Sequence, residues 1–212
     1  MAHGFDKAYW EEHWRRADPS GAGSVGGHPP NPYLARELGE LAPGTALDAG
    51  CGAGAEAIWL ASRGWQVTAV DISSEVLAGA VERGTAGGTS DQVRWVEADL
   101  SRWEPGTRFD LVTTHYAHPA MPQLEFYDRI ARWVAPGGAL LIVGHLHTDG
   151  AAGPPAEASA TAAAITARLD ETTWEVVTAE ECHRTLVGRH AGRSSVLHDV
   201  VVRAIRRPSH AA

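Results

Sequence analysis

Short apolar runs alternate with helical patterns through the middle of the chain. Five runs predict strands, namely TALDAG, QVTAVDI, QVRWVEADL, FDLVTTHY and ALLIVGHL. Apolar residues at helical spacing predict helices in GAEAIWLASRG, SEVLAGAVERG and QLEFYDRIARWV, the last of which is stopped by APGG. Apolar strands that alternate with helices favour a parallel sheet with helices on both faces.

The two ends of the chain depart from this alternation. Near the start, Tyr9, Trp10, His13 and Trp14 recur at helical spacing; a Gly- and Pro-rich loop follows, and then a helix in NPYLARELGEL that Asn31 caps. Near the end, GAAGPPAEASATAAAITARL predicts a loop and an alanine-rich helix. WEVVTAEEC and SVLHDVVVRAIRR predict two strands with no helix between them, and therefore an antiparallel pair at the sheet edge.

Composition narrows the classes of protein that fit. A chain of 212 residues allows one sizeable core, and the formal net charge of −8 disfavours a nucleic-acid partner. Cys51 and Cys182 give no disulfide framework, and no apolar run reaches the length of a signal or membrane segment, so we expect a cytoplasmic protein. Lys7 is the only lysine, which excludes a P-loop, a pyridoxal Schiff base and a Tyr-x-x-x-Lys reductase pair.

A glycine-rich loop after the first predicted strand indicates an adenosine cofactor. Gly50, Gly52 and Ala55 satisfy G-x-G-x-x-G/A, and Asp71 follows about 20 residues later at the end of the second strand. This pattern alone fits a dinucleotide or another adenosine cofactor. Asp48, two residues before Gly50, favours S-adenosylmethionine, because a carboxylate repels a pyrophosphate and attracts a sulfonium and an ammonium.

The motif EADL adds a third acid at the tip of the third predicted strand. Asp99 can accept a hydrogen bond from an adenine amino group while Leu100 packs on the ring. Carboxylates at the ends of three successive strands would bind a cationic cofactor through its positive charge, its two ribose hydroxyls and its adenine amino group.

Taken together, LDAGCGAGAEAIWLASRGWQVTAVDIS, EADL and FDLVTTHY resemble the class I S-adenosylmethionine-dependent methyltransferases. The resemblance covers about residues 32 to 146 by motif and reaches the C-terminus by the order of elements. It implies a Rossmann-like, doubly wound α/β fold with a seven-stranded sheet, an antiparallel last strand and helices on both faces. We predict a single methyltransferase domain over 1–212, with an N-terminal helix and lid-like loop over 1–31 and a Rossmann-like core over 32–212. YWEEHW and WLASRGWQVTAVDIS are also loosely similar to the thiopurine and tellurite-resistance branch.

The resemblance also implies a cofactor site, position by position. The loop after the first strand would line the methionine part of S-adenosylmethionine, the end of the second strand would hold the ribose and one adenine face, and EADL would hold the adenine edge. His115 would reach the methionine end or the substrate. The other residues so assigned are Asp48, Gly50, Cys51, Gly52, Gly54, Asp71, Ile72, Asp99 and Leu100. S-adenosylhomocysteine is the implied product, and we interpret Cys51 as a packing residue rather than a reactive thiol.

Histidines occur at the tips of the fourth and fifth predicted strands, where open α/β sheets bind ligands. We predict His115 and His118 as general bases and His145 as a wall of the substrate pocket, although each is also compatible with a structural role. His145, His147 and Asp149 have ligand-like spacing. No fourth ligand is evident and methyl transfer needs no metal, so we predict no metal site.

Aromatic residues complete the predicted substrate pocket. Trp10, Trp14, Tyr33 and Tyr116 would cover a flat substrate, unless the two tryptophans only fasten the first helix to the core. The lid-like N-terminal segment would close over the site after binding.

The sequence therefore predicts an S-adenosylmethionine-dependent methyltransferase that acts on a small-molecule thiol, hydroxyl or amine. We expect a monomer or homodimer with no nucleic-acid or membrane partner. One alternative is an NAD(P)-dependent oxidoreductase, against which Asp48 and the missing Tyr-x-x-x-Lys pair argue. The other is a non-catalytic cofactor-binding protein that holds S-adenosylhomocysteine without transferring a methyl group.

Overall fold

Thirteen helices and strands make up the computed structural model, which describes residues 4–17, 29–146, 158–187 and 194–208. The helices are α1 (Lys7–Ala17), α2 (Pro32–Leu38), α3 (Ala55–Ala61), α4 (Ser74–Ala86), α5 (Gln123–Ala131) and α6 (Ala162–Thr166). The strands are β1 (Thr45–Ala49), β2 (Gln66–Asp71), β3 (Val93–Glu97), β4 (Phe109–His115), β5 (Val134–His145), β6 (Trp174–Val187) and β7 (Ser194–Arg206). His147, Asp149 and most of the predicted lid-like loop lie outside the described residues.

All seven strands form one sheet in the order β3-β2-β1-β4-β5-β7-β6. Neighbouring strands are parallel, except that β7 runs antiparallel to both β5 and β6. This confirms the predicted doubly wound sheet with an antiparallel last strand. The winding reverses between β1 and β4, so a crevice opens at the carboxyl ends of these strands, where ligands bind in folds of this kind.

Alternating side chains on the strands build a core on each face of the sheet. On β5, Leu140 and Ile142 join the cluster that packs against α5, whereas Leu141 and Val143 join the cluster that packs against α2 and α3. Both faces of the sheet are therefore covered, which explains why the strands have continuous apolar sequences instead of alternating ones.

Side-chain caps define the starts of two helices. The Asn31 side chain, the predicted cap, accepts a hydrogen bond from the Tyr33 amide at the start of α2, with Pro32 in the first turn. Ser73 caps α4, because its hydroxyl accepts from the Val76 amide.

One predicted boundary was wrong, and one predicted helix is short. The APGG segment lies inside β5 and not before it, because Val134 already pairs with Phe109; the ladder then shifts register, and Ala139 pairs with Leu111. The alanine-rich stretch forms a helix of only five residues, α6. Ala158 and Ala160 are buried outside that helix. Their small side chains pack irregular backbone against the core, so burial outweighs the helix propensity of alanine here.

Candidate functional site

A cavity of about 710 Å³ opens where the carboxyl ends of β1 to β5 meet α1. Its volume lies within the range of roughly 300 to 1,000 Å³ that is common for small-molecule pockets. It brings together most of the predicted site residues, namely Trp10, Trp14, Gly50, Cys51, Gly52, Asp71, Ile72, Asp99, Leu100, His115, Tyr116, His118 and His145. Asp48, Gly54 and Tyr33 do not line it.

The loop after β1 brings backbone, not side chains, to the cavity. Gly50 and Gly52 have φ angles of +82° and +48°, which favour glycine. A Cβ atom on Gly50 would overlap the Cβ of Ala117, and one on Gly52 would lie 3.1 Å from the Trp14 ring. The loop therefore packs closely between α1 and the segment after β4. At these two positions only glycine leaves space for a ligand beside the loop.

Two predicted members of this loop, Cys51 and Gly54, are buried. Gly54 also has a positive φ, but a Cβ atom there would meet the Trp95 ring and Ala80, so its role is to let the loop pack on the core. Cys51 is buried, and burial raises the pKa of its thiol, with the nearby Asp48 adding to the effect. The neutral thiol agrees with the interpretation of Cys51 as a packing residue.

Asp48 lies beneath the loop and not at its mouth, contrary to the position inferred from the sequence. Its side chain is 1% exposed, and its Oδ2 has no hydrogen-bond partner among the described residues. Burial raises its pKa well above the usual range, and the neighbouring Glu56 and Asp71 carboxylates raise it further. The Ala57 amide in α3 donates a hydrogen bond to this carboxyl, so Asp48 faces α3 and the core.

Glu56 is the carboxylate that reaches the cavity beside the glycine loop, and it was not among the residues predicted from the sequence. Glu56 lies in the first turn of α3 and accepts a hydrogen bond from the Asn31 amide. An acid in the first turn of the helix that follows a glycine loop was the available signal, since that position faces whatever the loop binds.

The ends of β2 and β3 carry the two acids predicted to hold the nucleoside. Asp71 accepts hydrogen bonds from the amides of Gly52 and Ser73, and so ties the end of β2 to the glycine loop. Burial raises its pKa, and these backbone hydrogen bonds oppose the shift. Asp99 accepts from the amide and hydroxyl of Ser101 through Oδ1. Among the described residues, its Oδ2 has only the Arg102 guanidinium nearby, 3.9 Å away. Both carboxylates keep oxygen lone pairs for a ligand.

The two predicted bases differ in their surroundings. His115 is buried at the end of β4, and burial keeps its pKa below the usual value despite the opposing effect of Glu56. Its Nε2 has no hydrogen-bond partner among the described residues. His118 also has a pKa lowered by burial, but Gln123 contacts its Nδ1 at 3.1 Å. Both rings are therefore neutral near pH 7 and can accept a proton.

The aromatic side of α1 covers the cavity. Trp10 donates a hydrogen bond from its indole to the His118 carbonyl, and Trp14 packs on Gly52. Lys7 forms an ion pair with Glu97 at the end of β3. The helix thus touches the segments that follow β1, β3 and β4, as a lid would. Its closure after binding stays a prediction.

A hydrogen-bonded network forms the wall opposite the glycine loop. Tyr116 has a φ of +57° and stacks on His145 with ring centroids 3.8 Å apart. Its hydroxyl accepts from Asn31 and from Arg184. Arg184 and His145 also bind Asp199, which is completely buried; burial opposes ionisation of that carboxyl, but these two hydrogen bonds hold its pKa below the usual value.

The position of Tyr33 in this wall was wrongly predicted. Tyr33 is buried one layer behind the cavity, with the Arg36 guanidinium over its ring and its hydroxyl near Asp199. Arg184, and not Tyr33, lines the cavity wall. The sequence gave no signal for this role, since Arg184 is one polar residue among several on β6.

The described residues show neither a metal centre nor a membrane span. No three His, Cys, Asp or Glu side chains in the described ranges are grouped as metal ligands would be. None of the described helices has the length and apolar character that a bilayer span needs.

Similarity to known sequences is strongest in the segment that carries the glycine loop. Residues 46–138 match a family described as Methyltransferase domain. A probable thiol methyltransferase 2 of Arabidopsis thaliana is 28% identical over 157 residues, which are 71% of this chain and 67% of that protein. An uncharacterized methyltransferase of Mycobacterium tuberculosis is 38% identical over 99 residues, which are 46% of this chain and 48% of that protein. The chain thus spans between about half and two thirds of the length of these relatives.

Solved structures with the same fold cover almost the whole chain. TehB from Haemophilus influenzae has a TM-score of 0.68 at 16% identity, over 93% of this chain and 66% of that chain. The N-methyltransferase NodS from Bradyrhizobium japonicum has a TM-score of 0.61 at 20% identity, over 84% of this chain and 93% of that chain. At these identities the likeness establishes the fold.

Proposed function

We propose that the chain is a class I S-adenosylmethionine-dependent methyltransferase that methylates the sulfur of a small, mostly apolar thiol, with His118 as the base. Bound S-adenosylmethionine supplies a methyl group on a sulfonium; the lone pair of the acceptor bonds the methyl carbon, and the carbon–sulfur electrons return to sulfur as S-adenosylhomocysteine. The protein has to bind and orient both molecules, exclude water and accept one proton.

The cofactor half of the cavity fits S-adenosylmethionine. The φ angles and close contacts of Gly50 and Gly52 leave a cradle that any Cβ atom would fill. The unpaired Nε2 of His115 offers a hydrogen bond to the methionine end, and Glu56 offers a negative charge to its cationic groups. Asp71 would take the ribose hydroxyls, with Ile72 against one face of the adenine ring.

At the adenine edge, the free Oδ2 of Asp99 would accept from the adenine amino group. Leu100 would pack on the ring from the same segment. These assignments place the nucleoside along the ends of β2 and β3 and leave the segment after β4 for the acceptor.

The acceptor half of the cavity is aromatic and carries little net charge. Phe5, Trp10 and Tyr116 contribute ring faces, and the one cation that lines it among the described residues, Arg184, is already paired with the buried Asp199. A strongly charged acceptor would lose its hydration there without finding a free counter-charge. The compartment therefore favours a neutral molecule with an apolar body.

The accessible imidazole of His118 in this neutral compartment is the observation that carries the proposal. Burial lowers the pKa of His118, which makes it a weak base. General-base catalysis works best when the pKa values of base and acceptor are not far apart. A thiol, with a pKa of about 8.5, is a better match than a phenol of pKa about 10 or an aliphatic alcohol. The name of the thiol methyltransferase relative points the same way.

A screen with three acceptors of similar size tests the proposal. Purified full chain is incubated with S-adenosylmethionine carrying a radiolabelled methyl group and with benzyl mercaptan, 4-methylphenol or benzylamine. We expect kcat/KM to be highest for benzyl mercaptan, followed by 4-methylphenol and then benzylamine. A higher value for the phenol or the amine would overturn the assignment of sulfur as the acceptor atom.

Calorimetric titration with S-adenosylhomocysteine and with NAD tests the two alternative functions. Binding of S-adenosylhomocysteine without methyl transfer to any acceptor would indicate a non-catalytic cofactor-binding protein. Tight binding of NAD without binding of S-adenosylhomocysteine would indicate an oxidoreductase instead.

A further inference from the structure

Gln123, the first residue of α5, is held in a single orientation next to His118. Its side-chain amide nitrogen lies 3.0 Å from the carbonyl oxygen of Ala117, and its Oε1 lies 3.1 Å from His118 Nδ1. The side chain is 4% exposed. Because a backbone carbonyl can only accept a hydrogen bond, the amide nitrogen has to face Ala117, and the amide oxygen therefore faces the imidazole.

This orientation decides where the imidazole proton lies. An amide oxygen can only accept, so Nδ1 of a neutral His118 has to carry the proton that it donates to Gln123. The lone pair of the ring is then on Nε2. We propose that Gln123 is a positioning residue that holds His118 as the Nδ1–H tautomer, so that Nε2 is free to take the proton of the acceptor. The inference rests on the proposed function.

The rest of the surroundings leaves Nε2 open toward the cavity. Among the described residues no group forms a hydrogen bond with Nε2 of His118, whose ring lines the cavity. The Phe5 and Trp10 rings lie against the imidazole, with centroids 5.6 and 6.5 Å away, and neither carries a charge. The ionisable side chain that acts on His118 is His145 of β5, and Tyr127 of α5 contacts Gln123.

His115 has no comparable partner. Its Nδ1 lies 3.4 Å from the hydroxyl of Thr113, which can donate or accept, so the contact imposes no tautomer on the ring. The geometry thus separates the two histidines that the sequence treated alike. His118 is oriented as a base, whereas His115 is a buried ring with one nitrogen left for a ligand.

Nuclear magnetic resonance on the chain without cofactor or acceptor tests the tautomer directly. A two-bond ¹H–¹⁵N correlation spectrum of the ¹⁵N-labelled protein, recorded well above the pKa of histidine, distinguishes the two neutral tautomers. The His118 signals are assigned by their loss in His118→Ala. We expect Nδ1–H for His118 in the wild type and conversion toward Nε2–H in Gln123→Leu. A wild-type spectrum with His118 mainly as Nε2–H overturns the inference.

Kinetics with a matched pair of variants tests the consequence. Gln123→Leu should lower kcat for benzyl mercaptan by about tenfold and leave the dissociation constant of S-adenosylhomocysteine within about twofold, because general-base positioning acts on transfer and not on cofactor binding. Gln66→Leu, at an exposed site on β2, is the control and should change neither value.

The conservative variant Gln123→Glu should restore transfer at high pH. A carboxylate also accepts from Nδ1, and it favours the imidazolium, so the pKa of His118 rises and the acid limb of the pH profile moves to higher pH. A merely structural role for Gln123 would leave that limb in place. An unmoved limb, or a Glu variant no more active than the Leu variant at any pH, contradicts the inference.

The failures of the two proposals are distinguishable. If wild type methylates no acceptor, the proposed function fails, while the spectrum of the free protein still decides the tautomer. If wild type methylates benzyl mercaptan and holds His118 as Nε2–H, the positioning role fails alone. If Gln123→Leu does not fold, the wild-type spectrum and the pH profile of Gln123→Glu still decide the question.

Discussion

The two halves of the cavity are built in different ways. The proposed cofactor half comes mainly from three consecutive strand ends between Gly50 and Leu100, together with His115, and it presents mostly backbone atoms and carboxylates. The acceptor half is assembled from α1, the segment after β4, the end of β5 and Arg184 of β6, and it presents rings and a single paired cation. The first half is local in sequence, and the second depends on segments that only the fold brings together.

This difference has a chemical meaning. In the proposed function, one contiguous set of strand ends holds S-adenosylmethionine. The acceptor is contacted by other elements, which can change without disturbing the glycine loop. Three pairs of variants test whether the halves are separable in this protein, starting with the largest expected effect.

The sharpest test of the acceptor half is His118→Ala. We expect transfer to 4-methylphenol to fall by about a thousandfold and transfer to benzyl mercaptan by about tenfold, because a thiol is already partly ionised near neutral pH and a phenol depends on a base. Binding of S-adenosylhomocysteine, measured by calorimetry, should be unchanged.

His115→Ala is the matched comparison for that variant. The loss of its Nε2, which faces the proposed methionine end, should weaken binding of S-adenosylhomocysteine and leave the ratio of thiol to phenol rates as it is. Equal slowing of both acceptors by His118→Ala would show that His118 positions the substrate and does not act as a base.

Gly50→Ala tests the close contact between the glycine loop and the segment after β4. At a φ of +82° an alanine is strained by about 1 to 2 kcal/mol, and its Cβ would also overlap Ala117 in the segment after β4. We expect S-adenosylhomocysteine to bind about a hundredfold more weakly, since the strain and the overlap together displace the loop that holds it.

Gly88→Ala is the control for backbone strain. Gly88 has a φ of +70° with no atom within 4 Å of an added Cβ, so it carries the strain without the overlap. Equal loss of cofactor binding in both variants would mean that strain alone, at any distance, disturbs the site.

The smallest effect is expected for Asp48→Asn, which separates a buried charge from one in the cavity wall. Calorimetry should show binding of S-adenosylmethionine reduced less than about threefold for Asp48→Asn and about tenfold for Glu56→Gln, because only Glu56 lines the cavity. A larger effect at Asp48 would restore the sequence-based view that its charge contacts the sulfonium.

The same Asp48→Asn variant should be more stable than wild type at neutral pH. The pKa of Asp48 is raised in the folded protein, so folding at neutral pH works against its ionisation, and asparagine removes that cost. The gain shrinks as the pH falls toward the ordinary carboxyl pKa, where both states of the wild type are protonated. Thermal unfolding at about pH 8 and about pH 5 measures the difference.

Local sequence was enough for the features that depend on neighbouring residues. The strands, the glycine loop and the Asn31 cap are each specified within a few positions, and, apart from the APGG segment inside β5, the structure has them where they were predicted. The sequence also placed Asp71 and Asp99 correctly at the cavity, because carboxyl ends of parallel strands share one edge.

The sequence did not determine which way a residue faces or which distant segments come together at the cavity. Asp48 on β1 and Gly54 in the loop belong to the predicted segment, but whether each position faces the cavity depends on how α3 and β3 pack around it. Arg184 and Gln123 come from segments far from the motifs, so only the completed sheet shows that they reach the same cavity wall or its histidine.

The strand order also constrains how the protein is made. Strand β6 pairs only with β7 among the described residues, and β7 lies between β5 and β6, so the sheet closes only after the last strand has been synthesised. Asp199 is on β7, so the hydrogen bonds that hold Arg184 and His145 form only after β7 has been synthesised. During translation, β6 and β7 follow the strands that carry the glycine loop, Asp71 and Asp99, so the proposed acceptor wall is assembled after the proposed nucleoside-binding edge.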